Sequence, residues 1–181
     1  MAFTHDTDVA LMAASALVNT SPGPHAEEGL PDPEALRDFE EEWQWTGRFD
    51  GTAEELAEVH ALRDRLRTFW HIGSTEAVGL VNDLLREHDA LPQLVRHHDY
   101  GWHFHAAPPD AALAARMAVE AVMAMADVLR ADEWDRLAVC GAQGCDGVLV
   151  DLTRNRSRRF CGTTCGNREA AARYRERLRE G

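Results

Sequence analysis

Apolar residues recur at helical spacing through most of the first 131 positions, with polar residues between them. Typical N-terminal capping residues precede several of these segments, namely an acid followed by proline, a threonine three residues before a glutamate, and a serine. The pattern therefore predicts four helices. They are expected over residues 9–18 and from starts at Asp32–Pro33, Thr52 and Ser74.

The pattern changes to alternation of period two between residues 93 and 106, which is typical of strands. Tyr100 and Gly101 interrupt the alternation, so this segment predicts one β-hairpin with these two residues as its turn. Residues 111–131 then form the longest predicted helix, which is apolar nearly all round and therefore central and buried. The fold class predicted for this part is an α-rich domain with one β-hairpin.

Charge is divided unevenly along the chain, whose formal net charge is −12. Residues 1–139 hold ten arginines and 26 acidic residues, whereas residues 140–181 hold nine arginines and five acidic residues. The first part therefore carries a net charge of −16 and the second +4. This asymmetry assigns any binding of a polyanion to the C-terminal part.

All the cysteines lie in the last quarter of the chain, as two close pairs: Cys140, Cys145, Cys161 and Cys165. Two short-spaced pairs are typical of a tetrahedral zinc site, because one tight turn can supply two thiolates. Two disulfides or four unrelated thiols are the alternatives. With four cysteine ligands the coordination sphere is closed, so we expect a structural Zn²⁺ ion and not a catalytic one.

The compartment decides between zinc and disulfides, since disulfides persist only under oxidising conditions. The N-terminus lacks the basic start of a secretory signal, and no apolar run is long enough to span a bilayer. These features predict a soluble, cytoplasmic protein that does not bind membranes and keeps its cysteines reduced.

The segment around the cysteines predicts a treble-clef-like finger. The first cysteine pair forms a knuckle, Val148–Val150 is a strand, and residues 158–160 are expected to pair back with it. The second pair lies at the start of a final helix. In that helix, Ala171, Tyr174 and Leu178 are expected to pack on the finger's strands.

The sequence of the finger also carries a family resemblance. The run Thr-Arg-Asn-Arg-Ser-Arg-Arg-Phe-Cys at 153–161, followed by Cys-Gly-Asn-Arg at 165–168, resembles the CGNR zinc finger over about residues 137–180. Upstream, Leu-Val-Asn-Thr at 17–20, Pro-Asp-Pro-Glu at 31–34, and Trp-His-Phe at 102–104 before Ala-Pro-Pro at 107–109 resemble the ABATE domain. The resemblance implies an ABATE-like domain over 1–136 and a CGNR-like finger over 137–181.

Proteins with this arrangement are described as stress-induced transcription regulators. The resemblance therefore implies DNA binding through the finger. The α-rich domain is predicted to sense a small-molecule effector or to form a homodimer. The arginines offer guanidinium groups that bind phosphate in bidentate fashion. Candidate contacts are the loop residues Arg154, Arg156, Arg158 and Arg159 and the helix residues Arg168 and Arg175. A purely structural arginine cluster, or a solvated helix face laced by salt bridges, is the alternative.

The hairpin supplies a second candidate site. With Tyr100 and Gly101 as the turn, His98 would lie opposite His103, and Arg96 opposite His105. Such a face could bind a metal or an anion or, with Trp45, line an effector pocket; a polar, half-exposed sheet face is the alternative.

DNA-binding transcription regulation is the leading functional prediction. The alternatives are a protein-interaction module that grips an acidic partner, an RNA-binding accessory factor and, more distantly, an enzyme built on the hairpin histidines. No nucleotide-binding glycine loop, Ser-His-Asp arrangement or paired-carboxylate motif stands out, so we expect no enzymatic activity. The acidic part is further predicted to mask the finger from polyanions.

Overall fold

The computed structural model describes residues 3–96 and 101–180 of the 181-residue chain. Six α-helices and two antiparallel two-stranded sheets occur in these ranges, with short 3₁₀ turns at Thr68–Trp70 and Trp134–Arg136. In chain order the elements are α1 (His5–Asn19), α2 (Pro33–Trp43), α3 (Ala53–Arg67), α4 (Ser74–Glu87), β1 (Gln93–Val95), β2 (His103–His105), α5 (Leu113–Arg130), β3 (Leu137–Val139), β4 (Val148–Val150) and α6 (Thr163–Glu180). The predicted mainly α fold class is confirmed.

Local capping interactions explain where two helices begin. The Asp32 carboxylate accepts a hydrogen bond from the Ala35 amide at 2.9 Å, and the Thr52 hydroxyl accepts one from the Glu55 amide at 3.2 Å. Each bond satisfies an amide that has no partner within its own helix. Helix α4 begins at Ser74 as well, but no side chain caps its first turn, so the predicted cap there is wrong.

Helix α5 is the centre of the apolar core, as its all-round hydrophobicity predicts. Its side chains Leu113, Met117, Val122, Met125 and Val128 are buried, and it packs against α1, α3 and α4. Burial of each such side chain stabilises the fold by about 1.5–3 kcal/mol. This helix therefore fixes the arrangement of the helical body, by which we mean residues 3–96 and 101–136.

Strand β4 extends this core across the predicted boundary between residues 136 and 137. It pairs with β3, with Leu137 opposite Val150, so the predicted pairing with residues 158–160 is wrong. Every residue of β4 is buried, and Leu137, Val148 and Val150 belong to the same apolar cluster as the helices. The domain boundary itself stays a prediction, but the apolar core continues across it without interruption.

Side chains of the helical body bind the backbone of β4. The Asn19 amide group donates to the Val148 carbonyl at 2.8 Å and accepts from the Val148 amide at 2.7 Å, as a neighbouring strand would. The indole of Trp70 donates to the Leu149 carbonyl at 2.8 Å. These bonds satisfy buried backbone groups that would otherwise destabilise the fold.

Replacing Asn19 with alanine is expected to lower the free energy of unfolding by about 2 kcal/mol, because both backbone groups of Val148 lose their partner. Urea denaturation measures the difference. Asn82→Ala is the matched control, since Asn82 is exposed within α4 and alanine favours helices. Equal free energies of unfolding for the two variants would contradict this role of Asn19.

Candidate metal centre and nucleic-acid interface

The four cysteines converge, as their spacing predicts. The Sγ atom of Cys161 lies 3.8 Å from that of Cys145 and 3.7 Å from that of Cys165, and all four Sγ atoms lie within 4.8 Å of one another. Tetrahedral Zn–S bonds of about 2.3 Å place the sulfur atoms about 3.8 Å apart. A disulfide needs about 2.05 Å, and all four cysteines are free thiols. The geometry fits four-coordinate metal and excludes the disulfide alternative in this structure.

A tight knuckle after β3 positions the first cysteine pair. The Cys140 amide donates to the Gly147 carbonyl at 2.7 Å, and the Cys145 amide donates to the Ala142 carbonyl at 3.1 Å. Gly144 has a φ of +70°, in the left-handed region that favours glycine. The knuckle therefore turns both thiols to the same side, towards the start of α6.

Backbone amides surround the sulfur atoms and leave little space. The Gly147 amide donates to the Cys145 sulfur at 3.4 Å, and the Cys161 amide donates to the Cys140 sulfur at 3.3 Å. A Cβ atom on Gly147 would lie 2.9 Å from the Cys161 sulfur, closer than real Cβ contacts allow. Glycine at 147 is therefore needed for close approach between the two cysteine pairs.

A metal ion must compete with protons for the thiols of this cluster. Burial raises the pKa of the Cys161 and Cys165 thiols, and hydrogen bonds with the other thiols raise that of Cys161 further, whereas for Cys165 the bonds with Cys145 and Cys140 raise the pKa and the bond with Cys161 lowers it. Burial opposes ionisation of Cys140 as well, but hydrogen bonds with Cys161, Ala142 and Cys145 together outweigh it and lower the pKa of that thiol. A divalent ion would replace the protons and neutralise thiolates that otherwise repel one another. These four residues would hold it with no position open for substrate, and the ion would stabilise the fold of the finger.

Asp151, at the end of β4, organises the arginine loop (residues 152–160). Its carboxylate is buried and accepts hydrogen bonds from the Thr153 amide at 2.9 Å, the Thr153 hydroxyl at 2.5 Å and the Arg158 amide at 2.8 Å. Burial opposes its ionisation, but these bonds outweigh burial and lower its pKa. Asp151 was not among the residues predicted from the sequence, and its position directly before the arginine-rich segment is the signal that could have identified it.

The predicted contact residues of the loop fall into three environments. Arg154 and Arg159 are exposed, and neither side chain has a hydrogen bond or ion pair with the described part of the chain. Arg156 pairs with two acidic residues of the helical body, Glu133 at 2.6 Å and Asp135 at 2.5 Å. Two of the four guanidinium groups are thus directly open to a phosphate.

Arg158 has an internal role. Its guanidinium donates to the carbonyls of Cys161 at 2.9 Å, Phe160 at 3.3 Å and Val150 at 3.4 Å. These bonds join the end of β4 to the segment that carries the third cysteine. The structure therefore places this arginine as a positioning residue of the finger.

Helix α6 packs on the finger only by its first turns. Arg168 is half-buried and donates to the Gln143 carbonyl at 3.3 Å, whereas Arg175 is exposed. The predicted packing of Tyr174 and Leu178 on the strands is wrong, because these side chains are 57% and 65% exposed. Ala171 is exposed as well, since the short strands β3 and β4 are covered by the helical body instead.

The hairpin has a different register from the predicted one. Val95 lies opposite His103 and Gln93 opposite His105, so the predicted pairing of Arg96 with His105 is wrong. The physical reason is a longer connection, which spans residues 96–102 where the prediction had a two-residue turn. The prediction for His98 concerns a residue outside the described ranges.

The two described hairpin histidines contact each other. Their Nε2 atoms are 3.1 Å apart, and His105 lines a cavity of about 30 Å³ together with Arg116 and Glu120. Burial raises the pKa of Glu120, although a hydrogen bond from the Trp45 indole opposes that shift. The cavity has room for about two water molecules. Within residues 3–96 and 101–180, only the cysteines form a group of three or more potential ligands with the spacing for a metal ion.

This geometry defines a helical domain joined to a four-cysteine finger, and comparison with family models identifies both parts. Residues 136–178 match the model of the CGNR zinc finger, the metal implied by its name being zinc. Residues 12–132 match the ABATE model, described as "putative stress-induced transcription regulator". The chain belongs to the ABATE family, which confirms the predicted resemblance. No curated protein matches the chain. None of the helices in the described ranges has the length and apolar character of a membrane span.

Replacing Asp151 with asparagine is expected to cost about 2 kcal/mol of stability at neutral pH, because a charged acceptor of three hydrogen bonds is lost. Since folding lowers the pKa of Asp151, its contribution is present above about pH 4 and should vanish as the pH falls further. Thermal unfolding at several pH values checks this. Asp146→Asn, an exposed change in the same finger, is the control, and equal effects of both variants would contradict the assignment.

Proposed function

We propose that the chain is a DNA-binding transcription regulator whose zinc-stabilised finger contacts phosphate groups through Arg154, Arg159 and Arg175. The single observation that supports this most is the state of the two loop arginines. Both are exposed and without a partner in the described part of the chain, on a loop whose backbone Asp151 holds in place. Unpaired guanidinium groups can bind phosphate oxygens in bidentate fashion without first breaking an internal ion pair.

The metal is proposed to be a structural Zn²⁺ ion bound by Cys140, Cys145, Cys161 and Cys165. The sulfur–sulfur distances that tetrahedral Zn²⁺ requires match those among the four cysteines, and the family name points to the same ion. Such an ion supplies the folding free energy that a segment with so small an apolar cluster cannot supply. One zinc per chain, measured by elemental analysis of the purified protein, is the expected stoichiometry.

The helical body is proposed to sense an effector or to support dimerisation, a role compatible with a family described as a stress-induced transcription regulator. The cavity beside His105 is too small for most organic effectors in this conformation. Binding of an effector there would therefore require the hairpin to move. Because the proposed function is transcription regulation, we expect the protein in the cytoplasm.

A protein-interaction module is the second candidate, and α6 favours it. Tyr174 and Leu178 form an exposed apolar stripe, with Arg175 and Arg177 beside it. An acidic partner with an apolar groove would suit this face. RNA offers the same phosphate chemistry as DNA, so a competition experiment must separate them.

The double variant Arg154→Ala/Arg159→Ala is expected to weaken binding to a labelled DNA duplex about tenfold and to reduce the salt slope by about two, because two phosphate contacts are lost. Fluorescence anisotropy across a salt series measures both quantities. Arg86→Ala/Arg130→Ala is the matched control, since it removes the same charge from exposed positions of the helical body.

Equal losses for both double variants would contradict contact by the loop and indicate a general charge effect. Unlabelled DNA should compete better than unlabelled RNA of the same sequence. Stronger competition by RNA would favour an RNA-binding factor, and no binding of either at low salt would favour the protein-interaction module.

A further inference from the structure

Arg156 differs from the other exposed arginines of the loop because acidic residues of the helical body hold it. Its Nη2 atom lies 2.6 Å from Glu133 and its Nη1 atom 2.5 Å from Asp135. The Arg156 side chain is still 45% exposed, and the Asp135 side chain is 63% exposed. The Arg156 guanidinium is therefore ion-paired but still accessible to solvent.

The two acids are fixed to different degrees. Glu133 also accepts a hydrogen bond from Arg136 at 2.7 Å, and the buried Arg136 in turn donates to the carbonyls of Asp151 and Thr153 at the base of the loop. Glu133 is thus linked through Arg136 to the backbone at the base of the loop. Asp135, by contrast, has no other hydrogen-bond or ion-pair partner within the described residues than Arg156.

We propose that Glu133 and Asp135 form an ionic latch that occupies Arg156 in the free protein and competes with phosphate for it. This inference rests on the proposed function of the loop. A phosphate offers the same paired oxygen acceptors as the two carboxylates, so it can replace them at the guanidinium. Ion pairs at this degree of exposure are weak, so exchange is energetically accessible.

The latch has two effects on binding. It removes one of the loop's cations from the free finger, and after exchange it leaves an unpaired carboxylate close to the bound phosphate. Both effects lower affinity for a polyanion. The latch thereby assigns the predicted masking of the finger to one part of the acidic chain, the turn at residues 132–136.

The decisive variant is Asp135→Asn, which frees Arg156 from its outer partner. We expect this variant to bind a labelled random-sequence duplex about fivefold more tightly, because Arg156 no longer has to leave its outer partner before it contacts a phosphate. Asp132→Asn is the matched control. It removes one charge from an exposed residue of the same turn that has no ion pair within the described residues, and asparagine tolerates the φ of +56° found there.

A double-mutant cycle with Arg156→Ala tests the coupling directly. In the Arg156→Ala background, Asp135→Asn should give a clearly smaller gain than in the wild type, because only the repulsion by the unpaired carboxylate is then left to relieve. An equal gain from Asp132→Asn, or a gain of the same size with and without Arg156, would overturn the latch in favour of general repulsion.

The outcomes also separate this inference from the function on which it rests. If the wild-type protein binds the duplex and Asp135→Asn does not change the affinity, the latch is wrong and the proposed function stands. If neither the wild type nor Asp135→Asn binds duplex at low salt, the proposed function fails and the latch fails with it.

Discussion

The burial of strand β4 with its backbone hydrogen bonds satisfied is the constraint on which the other features depend. Val148 and Val150 are fully buried among the helices, and this is tolerated because Asn19, Trp70 and strand β3 bind the backbone of the strand. The strand leads from the second cysteine on one side to Asp151 on the other. The position of β4 therefore sets the position of both the metal centre and the arginine loop.

This arrangement connects electrostatics with packing. The net charge of −16 on residues 1–139 would weaken the attraction of a polyanion to the finger. The arginine loop lies close to this acidic part of the chain. The contact between them is specific, since Arg156 meets Glu133 and Asp135 while Arg154 and Arg159 stay exposed. Under the proposed latch, control of the finger by the helical body would be a local ion-pair exchange, without movement of the core.

Local features could be predicted from the sequence, and nonlocal ones could not. Short spacing within each cysteine pair forces two ligands into one turn, and the caps at Asp32 and Thr52 act within three residues. The bond between Asn19 and Val148 joins residues 129 positions apart, which no periodicity reveals. The hairpin register failed because it depends on the length of the connection, and side-chain alternation alone leaves that length open.

Hydrogen exchange with and without zinc tests most directly the claim that β4 belongs to the helical body and carries the finger. After chelation, α6 and residues 152–160 should lose protection, whereas the amides of Val148–Val150 should stay as protected as those of α1 and α5. Loss of protection in β4 together with α6, while α1 and α5 stay protected, would contradict the account. The finger would then be an independent unit whose folding owes nothing to the helical body.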